Sequence, residues 1–274
     1  MITLSEPEPA RSTLLPVAPG IHRIVARNPG RMTYHGTNTY LVEHAGAVIV
    51  IDPGPDDPAH VADIVRLSPA PVAAIVITHS HADHTGAVPA LRAATSAPVQ
   101  GWHVNFDPKL RLDVALHDGE LVAGLRVVHT PGHAADHICL ARDDGVLFSG
   151  DHVMGWSTTV ISPPGGDMAA YFTSLERLAA RRDTVFLPGH GPMVPTPADH
   201  LAALLGHRRA REAQILRAIT DEPASLPTLV GQLYPDLDLA LRPAAAQSAL
   251  AHLQKLQAEG RAMLRDELWS GLPG

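Results

Sequence analysis

Hydrophobic residues in the first half of the chain come in short runs, alternating or continuous, and each run is closed by turn-forming residues. Residues 21–26 alternate as a half-buried strand does, and Asn28, Pro29 and Gly30 follow as a turn. A second strand is expected from residues 36–42. A third, the apolar run 47–51, is stopped by Asp52, Pro53, Gly54 and Pro55. The short connections predict antiparallel pairing at the start of a sheet. Val61, Ile64, Val65 and Leu67 then recur at helical spacing across 57–68. The β-branched run 73–77 reads as a buried strand, which completes a β–α–β unit. Further on, the pattern predicts a helix over 86–94 and strands over 99–104, 125–129, 146–148 and 184–187. An amphipathic helix over 169–181 carries Tyr171, Leu175 and Leu178 on one face. Residues 1–16 are mixed and Pro-containing, and are expected to form a loose arm or an edge strand.

Four of these strands end alike, in a small turn followed at once by a histidine or an aspartate. The run 73–77 leads into Thr78, His79, Ser80, His81, Ala82, Asp83 and His84. The other three lead into Thr130-Pro131-Gly132-His133, Ser149-Gly150-Asp151 and Pro188-Gly189-His190-Gly191. Side chains leaving strand ends converge on one edge of a sheet, where loops carry chemistry on a rigid base. A histidine in one such turn is ordinarily structural. Three imidazoles and a carboxylate within six residues reverse that reading, because burying them together is costly without a metal. His79, His81 and His133 would bind one ion, Asp83, His84 and His190 a second, and Asp151 would bridge ions ~3.5–4 Å apart. Water held there, its pKa lowered toward ~7, would act as a metal-bound hydroxide, with Asp83 orienting it or taking a proton during turnover. The expected cofactors are two divalent ions, zinc first, with iron or manganese accepted by the same donors. His137 and His152 adjoin these ligands and stand as supporting groups or substrate contacts, and Asp52 as a carboxylate packed beneath the site. Asn38 and Tyr40 read as turn and core residues before any substrate role. His22, His44, His60, His117, His200, His207 and His252 read as surface or packing positions.

Composition narrows the function classes. At 274 residues and 45% hydrophobic, the chain can form one large domain, or a medium domain with a small appendage, and is not disordered as a whole. Its 17 histidines fit a metal protein. A net charge of −7 leaves no overall basic field, so nucleic-acid contact would be local, and 4% aromatics argues against a base-stacking surface. Cys139, the single cysteine, excludes an intrachain disulfide and sits in an apolar run as a small hydrophobe. No run approaches the roughly 18 apolar residues of a membrane span, and the start lacks a secretory pattern, so a cytoplasmic location and no membrane partner are expected.

Proline-rich residues 192–197 mark the expected boundary between a catalytic domain, 17–198, and a C-terminal module, 199–274. Helices over 199–220, 226–234 and 244–258, then a hairpin from 260, make the module winged-helix-like. From residue 223 on, Arg242, Lys255, Arg261 and Arg265 face Asp236, Asp238, Glu259, Asp266 and Glu267. That balance opposes sequence-specific DNA binding. Packing on the catalytic domain, framing its cleft, or homodimerisation is expected instead. Arg208, Arg209, Arg211 and Arg217 make the preceding helix the better phosphate contact, with a solvated helix face as the weightier reading.

Taken together, the four strand-end motifs resemble those of the metallo-β-lactamase-fold hydrolases. The resemblance implies an α/β fold: a four-layer αβ/βα sandwich with the metals at one edge between two sheets. All seven ligand positions hold the family's residue types. Asn28-Pro29-Gly30, residues 36–42, residues 207–212 and the C-terminal tail resemble the beta-lactamase-like protein 2 subgroup, several of whose members are endoribonucleases. A dinuclear metal hydrolase is therefore expected, acting on a small molecule or on phosphodiesters of single-stranded RNA. The alternatives are a thioester or lactone hydrolase of the glyoxalase II type and an iron-dependent oxidoreductase on the same fold. True β-lactamase activity is not expected: bridging Asp151 belongs to the hydrolase branch, and Cys139 does not stand where the lactamase zinc-binding cysteine does.

Overall fold

The computed structural model describes residues 2–272. One sheet takes its strands in chain order: β1 (Leu15–Ala18), β2 (Ile21–Val25), β3 (Asn38–His44), β4 (Ala47–Ile51), β5 (Val72–Val76), β6 (Val99–Trp102) and β7 (Val114–Leu116). Pairing is antiparallel from β1 to β4 and parallel from β4 to β7. Parallel neighbours need crossovers, and α1 (Pro58–Leu67) and α3 (Val88–Thr95) supply two of them, with the single turn α2 (Ala82–Thr85) just after β5. The second sheet holds β8 (Leu121–Val122), β9 (Leu125–His129), β10 (Ile138–Ala141), β11 (Val146–Gly150) and β12 (Val185–Pro188), again in chain order. Helix α4 (Met168–Ala179) links β11 to β12, which pair in parallel. Beyond them come α5 (Pro197–Asp221), α6 (Leu226–Leu233), α7 (Arg242–Ala258) and a hairpin of β13 (Ala262–Arg265) and β14 (Leu268–Gly271).

The period-2 pattern builds the layers. In β4, Ile49 and Ile51 face the core between the two sheets, and Val48 and Val50 face α1 and α3. In β3, Tyr40 and Val42 turn inward and Leu41 outward. On the far side, Tyr171 and Leu175 of α4 and Leu201 and Leu204 of α5 cover the second sheet at Val128, Cys139 and Leu147. The result is the expected order of helix, sheet, sheet and helix. Local chemistry starts the helices: Asp57 accepts from Ala59 N at 2.9 Å ahead of Pro58, and Asp167 accepts from Ala170 N at 2.8 Å.

Several elements differ from the sequence reading. The helix expected over 86–94 is α3, shifted to Val88–Thr95, and the single turn α2 ahead of it was not foreseen. The strand expected over 99–104 ends at Trp102, and β7, β8 and β10 were not foreseen as strands. The N-terminal residues are tied down: Leu4 packs on the α4 core and its N–H donates to Gly155 O at 2.9 Å, while Glu6 pairs with Arg23 at 2.9 Å. Residues 15 and 16 belong to edge strand β1.

The largest departure is α5. It serves two cores, Leu201, Leu204 and Leu205 on the catalytic side and Ile215 and Ile219 within the C-terminal module. Its arginines therefore do not form a solvated stripe. Arg208 is buried and donates to Thr159 O, Arg209 pairs with Glu176 at 2.7 Å, and Arg211 lies 4.2 Å from the centre of the Tyr234 ring; Arg217 stays exposed. Cys139 is buried, and burial pushes its thiol up to about 12, so it is an inert packing residue. Among the described residues, no helix is long and apolar enough to cross a membrane.

His60 is a packing residue with a measurable signature. Thr39 Oγ1 gives its proton to Asp52 O at 2.8 Å and so accepts from His60 Nε2 at 2.8 Å, while the ring's buried Nδ1 has no acceptor to which a second proton could be given. Burial pulls its pKa to about 4. Because the folded value lies below the unfolded one, near 6.5, the unfolded chain takes up the proton first. The stabilisation is complete above about pH 6.5 and is lost as pH falls toward 4, by on the order of 2–3 kcal/mol. Urea titrations at pH 7 and 4.5 should therefore show wild type losing more stability on acidification than His60→Gln. Parallel losses would contradict a buried neutral imidazole here.

Candidate metal centre

Ligand positions reach the centre from both sheets. β5 runs into His79, His81, Asp83 and His84, β9 leads to His133, β11 to Asp151 and β12 to His190. Two triplets have one donor atom each within 4.8 Å of one another: His79, His81 and His133, and Asp83, His84 and His190. A third, His79, His84 and Asp151, joins them. All seven sequence candidates thus meet in one cluster, buried at His79, His84, Asp151 and His190 and open to solvent at His81 and Asp83.

Hydrogen bonds outside the cluster set the tautomers. Thr78 Oγ1 donates to Asp52 Oδ2 at 2.7 Å, so it accepts from His79 Nδ1–H at 3.0 Å. His133 Nδ1–H donates to Val160 O at 2.8 Å, and His190 Nδ1–H to Gly36 O at 3.3 Å. Asp52 Oδ2 accepts from His84 Nδ1–H at 2.9 Å. The Nε2 atoms of these four rings are left pointing inward. His79 Nε2 and His133 Nε2 both lie 3.0 Å from His81 Nδ1, which has at most one proton to share. Lone pairs outnumber protons at that point, and a cation fits it. On the side of the other triplet, His84 Nε2 and the adjacent Asp151 Oδ1 are buried without a hydrogen-bond partner, as atoms reserved for a cation would be.

The electrostatics agree. Burial, reinforced by His84 and His81, holds His79 well below its ordinary value, and burial takes His133 to about 4, so both stay neutral donors. Burial also opposes charge on His84 and His190, but carboxylates win at both: Asp83, Asp151 and Asp52 raise His84, and Asp151 and Asp83 raise His190 to about 9. Burial works against the anion of Asp83, yet His84 and His190 bring it down to about 2. The second triplet thus lies in the more carboxylate-rich surroundings.

The supporting candidates separate by role. Asp52 sits at φ 51°, a left-handed conformation costing about 1–3 kcal/mol for a non-glycine residue. Its carboxylate compensates by accepting from Thr78 N, Thr78 Oγ1 and His84 Nδ1. His137 is buried beneath the site, where its Nε2 accepts from Asp151 N at 3.2 Å and its Nδ1 pairs with Thr130 Oγ1 at 2.9 Å. Gly150, at φ 48°, lets that ring approach, since a Cβ there would stand 2.5 Å from His137 Nε2. Asn38 touches no cleft; its Nδ2 clamps the His190 turn through Pro188 O and Gly191 O, both at 2.9 Å, and Tyr40 adds a bond to Pro188 O at 2.8 Å. His152 is buried beside Tyr171, 4.6 Å between ring centres, with neither nitrogen bonded, and burial takes it to about 3. It packs and cannot meet a substrate. The sequence reading missed Thr78 as the hydroxyl orienting His79, although a threonine directly ahead of the first histidine was a usable signal. The Gly36 and Val160 carbonyls gave no signal at all.

Family comparisons fit this geometry. A model described as the metallo-beta-lactamase superfamily matches residues 32–109 and 104–190, and one described as a beta-lactamase associated winged helix domain matches 225–269. The chain is 34% identical over 261 residues to a Drosophila melanogaster protein named beta-lactamase-like protein 2 homolog, covering 87% of this chain and 88% of that one. It is 32% identical over 213 residues to an Aspergillus chevalieri protein named atrochrysone carboxyl ACP thioesterase, covering 75% and 67%. The crystal structure of a beta-lactamase domain protein from Burkholderia ambifaria superposes with a TM-score of 0.81 at 24% identity, over 96% of this chain and 95% of that one, which supports the fold. The two sheets, the strand-end cluster and the appended winged helix thus have one common explanation: the protein is a hydrolase of the metallo-beta-lactamase superfamily.

Proposed function

We propose that the protein is a dinuclear metal-dependent hydrolase that cleaves a thioester or ester. Asp151 carries the proposal. One of its oxygens lies 3.5 Å from His84 Nε2, and the other lies 3.3 Å from His190 Nε2 and 3.9 Å from His133 Nε2, so a single carboxylate serves both histidine groups. In this reading His79, His81 and His133 hold one ion, Asp83, His84 and His190 the other, and Asp151 both. Bound ions supply Lewis acidity and bring the pKa of water toward ~7. The chain's own contribution is to fix the donors through Thr78, Asp52 and the Val160 and Gly36 carbonyls. Asp83 is the more exposed of the two carboxylates, 32% against 10% at Asp151, and is placed to take a proton at the mouth of the cleft.

Two facts support a thioester or ester over a phosphodiester. Arg208 and Arg209 of α5, two of the arginines that would contact phosphate, are engaged with Thr159 and Glu176. The Aspergillus relative, 32% identical, is named a thioesterase. Metal-loaded protein should hold two ions per chain and release thiol from acyl thioesters while leaving single-stranded RNA intact. Metal analysis, a thiol-release assay and RNA electrophoresis check this together. RNA cleavage without thiol release would overturn the substrate class, and full activity with one ion or none would overturn the dinuclear site.

A further inference from the structure

We infer that the space between the catalytic domain and the C-terminal module is an acyl subsite selecting a substrate with an anionic group on its apolar tail. The inference rests on the thioester or ester reading above. Met32, Met154 and Val160 wall the cleft over the metal centre and also wall a second cavity of about 290 Å³, so the two adjoin. That volume falls just below the ~300–1,000 Å³ of a whole small-molecule site, which is room for part of a substrate. Trp156 lines it from the catalytic side, and Tyr234, Leu237, Leu241 and Ala245 line it from the module. The winged helix thereby has a task at the site that needs no nucleic acid.

Charge selects the ligand. Arg208 and Arg211 both line the cavity, no acidic residue does, and among the described residues neither arginine has a carboxylate partner. Arg208 is only 3% exposed; its guanidinium lies 5.3 Å from the centre of the Tyr171 ring, and its Nε has no acceptor. Arg211 has the Tyr234 ring and Leu233 O at 3.2 Å. Carbonyls and ring faces soften a buried cation without neutralising it. Arg31 at the rim differs, being paired with Asp238 at 2.5 Å. Two further nitrogens of lining residues, Trp156 Nε1 and His207 Nδ1, are buried without partners. Burial first, then Arg208 and Arg211, depress His207, which registers the same positive field. An apolar chamber with two uncompensated guanidiniums and spare donors suits an aliphatic or single-ring acyl group bearing a carboxylate.

Calorimetry on the metal-loaded protein with octanoate and octanedioate tests this without requiring turnover. Octanedioate should bind about tenfold or more tightly than octanoate. Arg211→Gln should collapse that ratio toward one and Arg211→Lys restore part of it, at unchanged melting temperature. Ala245→Phe, which fills the chamber, should weaken both ligands. A ratio indifferent to Arg211→Gln, or binding indifferent to Ala245→Phe, would overturn the subsite. Should both acids bind as expected while no thioester is cleaved, the thioester reading fails and the subsite stands. If thioesters are cleaved with the same acyl selectivity by wild type, Arg211→Gln and Ala245→Phe, the reverse holds.

Discussion

Asp151→Ala should lower kcat/KM by about three orders of magnitude or more and leave at most one tightly held ion per chain. Among the described residues no other side chain joins the two halves of the centre in this way: its oxygens face His84 on one side and His133 and His190 on the other. Each remaining triplet keeps three donors, so the loss falls on what needs both ions at once, namely their spacing and the charge they concentrate on one substrate. The carboxylate also counters the histidines around it; burial alone would raise its pKa, yet His190 and His84 hold it well below the ordinary value. Asp151→Asn keeps the shape and one acceptor oxygen and should fall between alanine and wild type. Metal content by mass spectrometry together with initial rates separates the cases. Two ions and wild-type rates in the alanine variant would remove the bridge from the account.

Much of this centre was legible in the sequence because its chemistry is written in local order. A strand of Val, Ala and Ile ending in His79, His81, Asp83 and His84 places four candidates before any tertiary contact is known, and His133, Asp151 and His190 repeat the context. What holds those ligands was less legible. Asp52 lies 26 residues from Thr78 and 32 from His84, and no local pattern announces that one carboxylate serves both. Carbonyls such as Val160 O and Gly36 O are invisible in principle, since every residue carries one. The arginines of α5 were misread for a related reason. A charged stripe on a helix ordinarily means solvent, but α5 is covered by two cores along its 25 residues, so Arg208 ends up inside. The RNA expectation rested on the subgroup resemblance, with these arginines as its best phosphate contacts; the burial of Arg208 and the pairing of Arg209 with Glu176 move the reading toward an acyl substrate.

Gly189→Ala, a change that removes no donor, should cost roughly 100-fold in kcat/KM and weaken metal retention. A Cβ on Gly189 would stand 2.4 Å from Asp151 Oδ1 and 2.7 Å from His84 Cε1, closer than a carbon can approach either. The backbone cannot yield, because Gly189 N donates to Gly150 O at 2.8 Å and Asn38 N to Gly189 O at 2.7 Å, while the Asn38 side chain grips both flanking carbonyls. Asp151 and His84 must therefore move by a sizeable fraction of an ångström, and they are the two ligands least able to do so. His84 is held from behind by Asp52, and Asp151 is fixed at its own N–H by His137. Global stability should drop by only about 1–3 kcal/mol, the usual cost of overpacking, so the variant should stay folded at 25 °C. Gly206→Ala is the matched control: it lies within α5 with nothing within 4 Å of its added Cβ, and should stabilise slightly, by about 0.5–1 kcal/mol, with no change in rate. If Gly189→Ala instead kept both ions and full activity, the ligand cage would be looser than its hydrogen bonds require, and the tight packing of glycine against Asp151 and His84 would have no part in holding the metals.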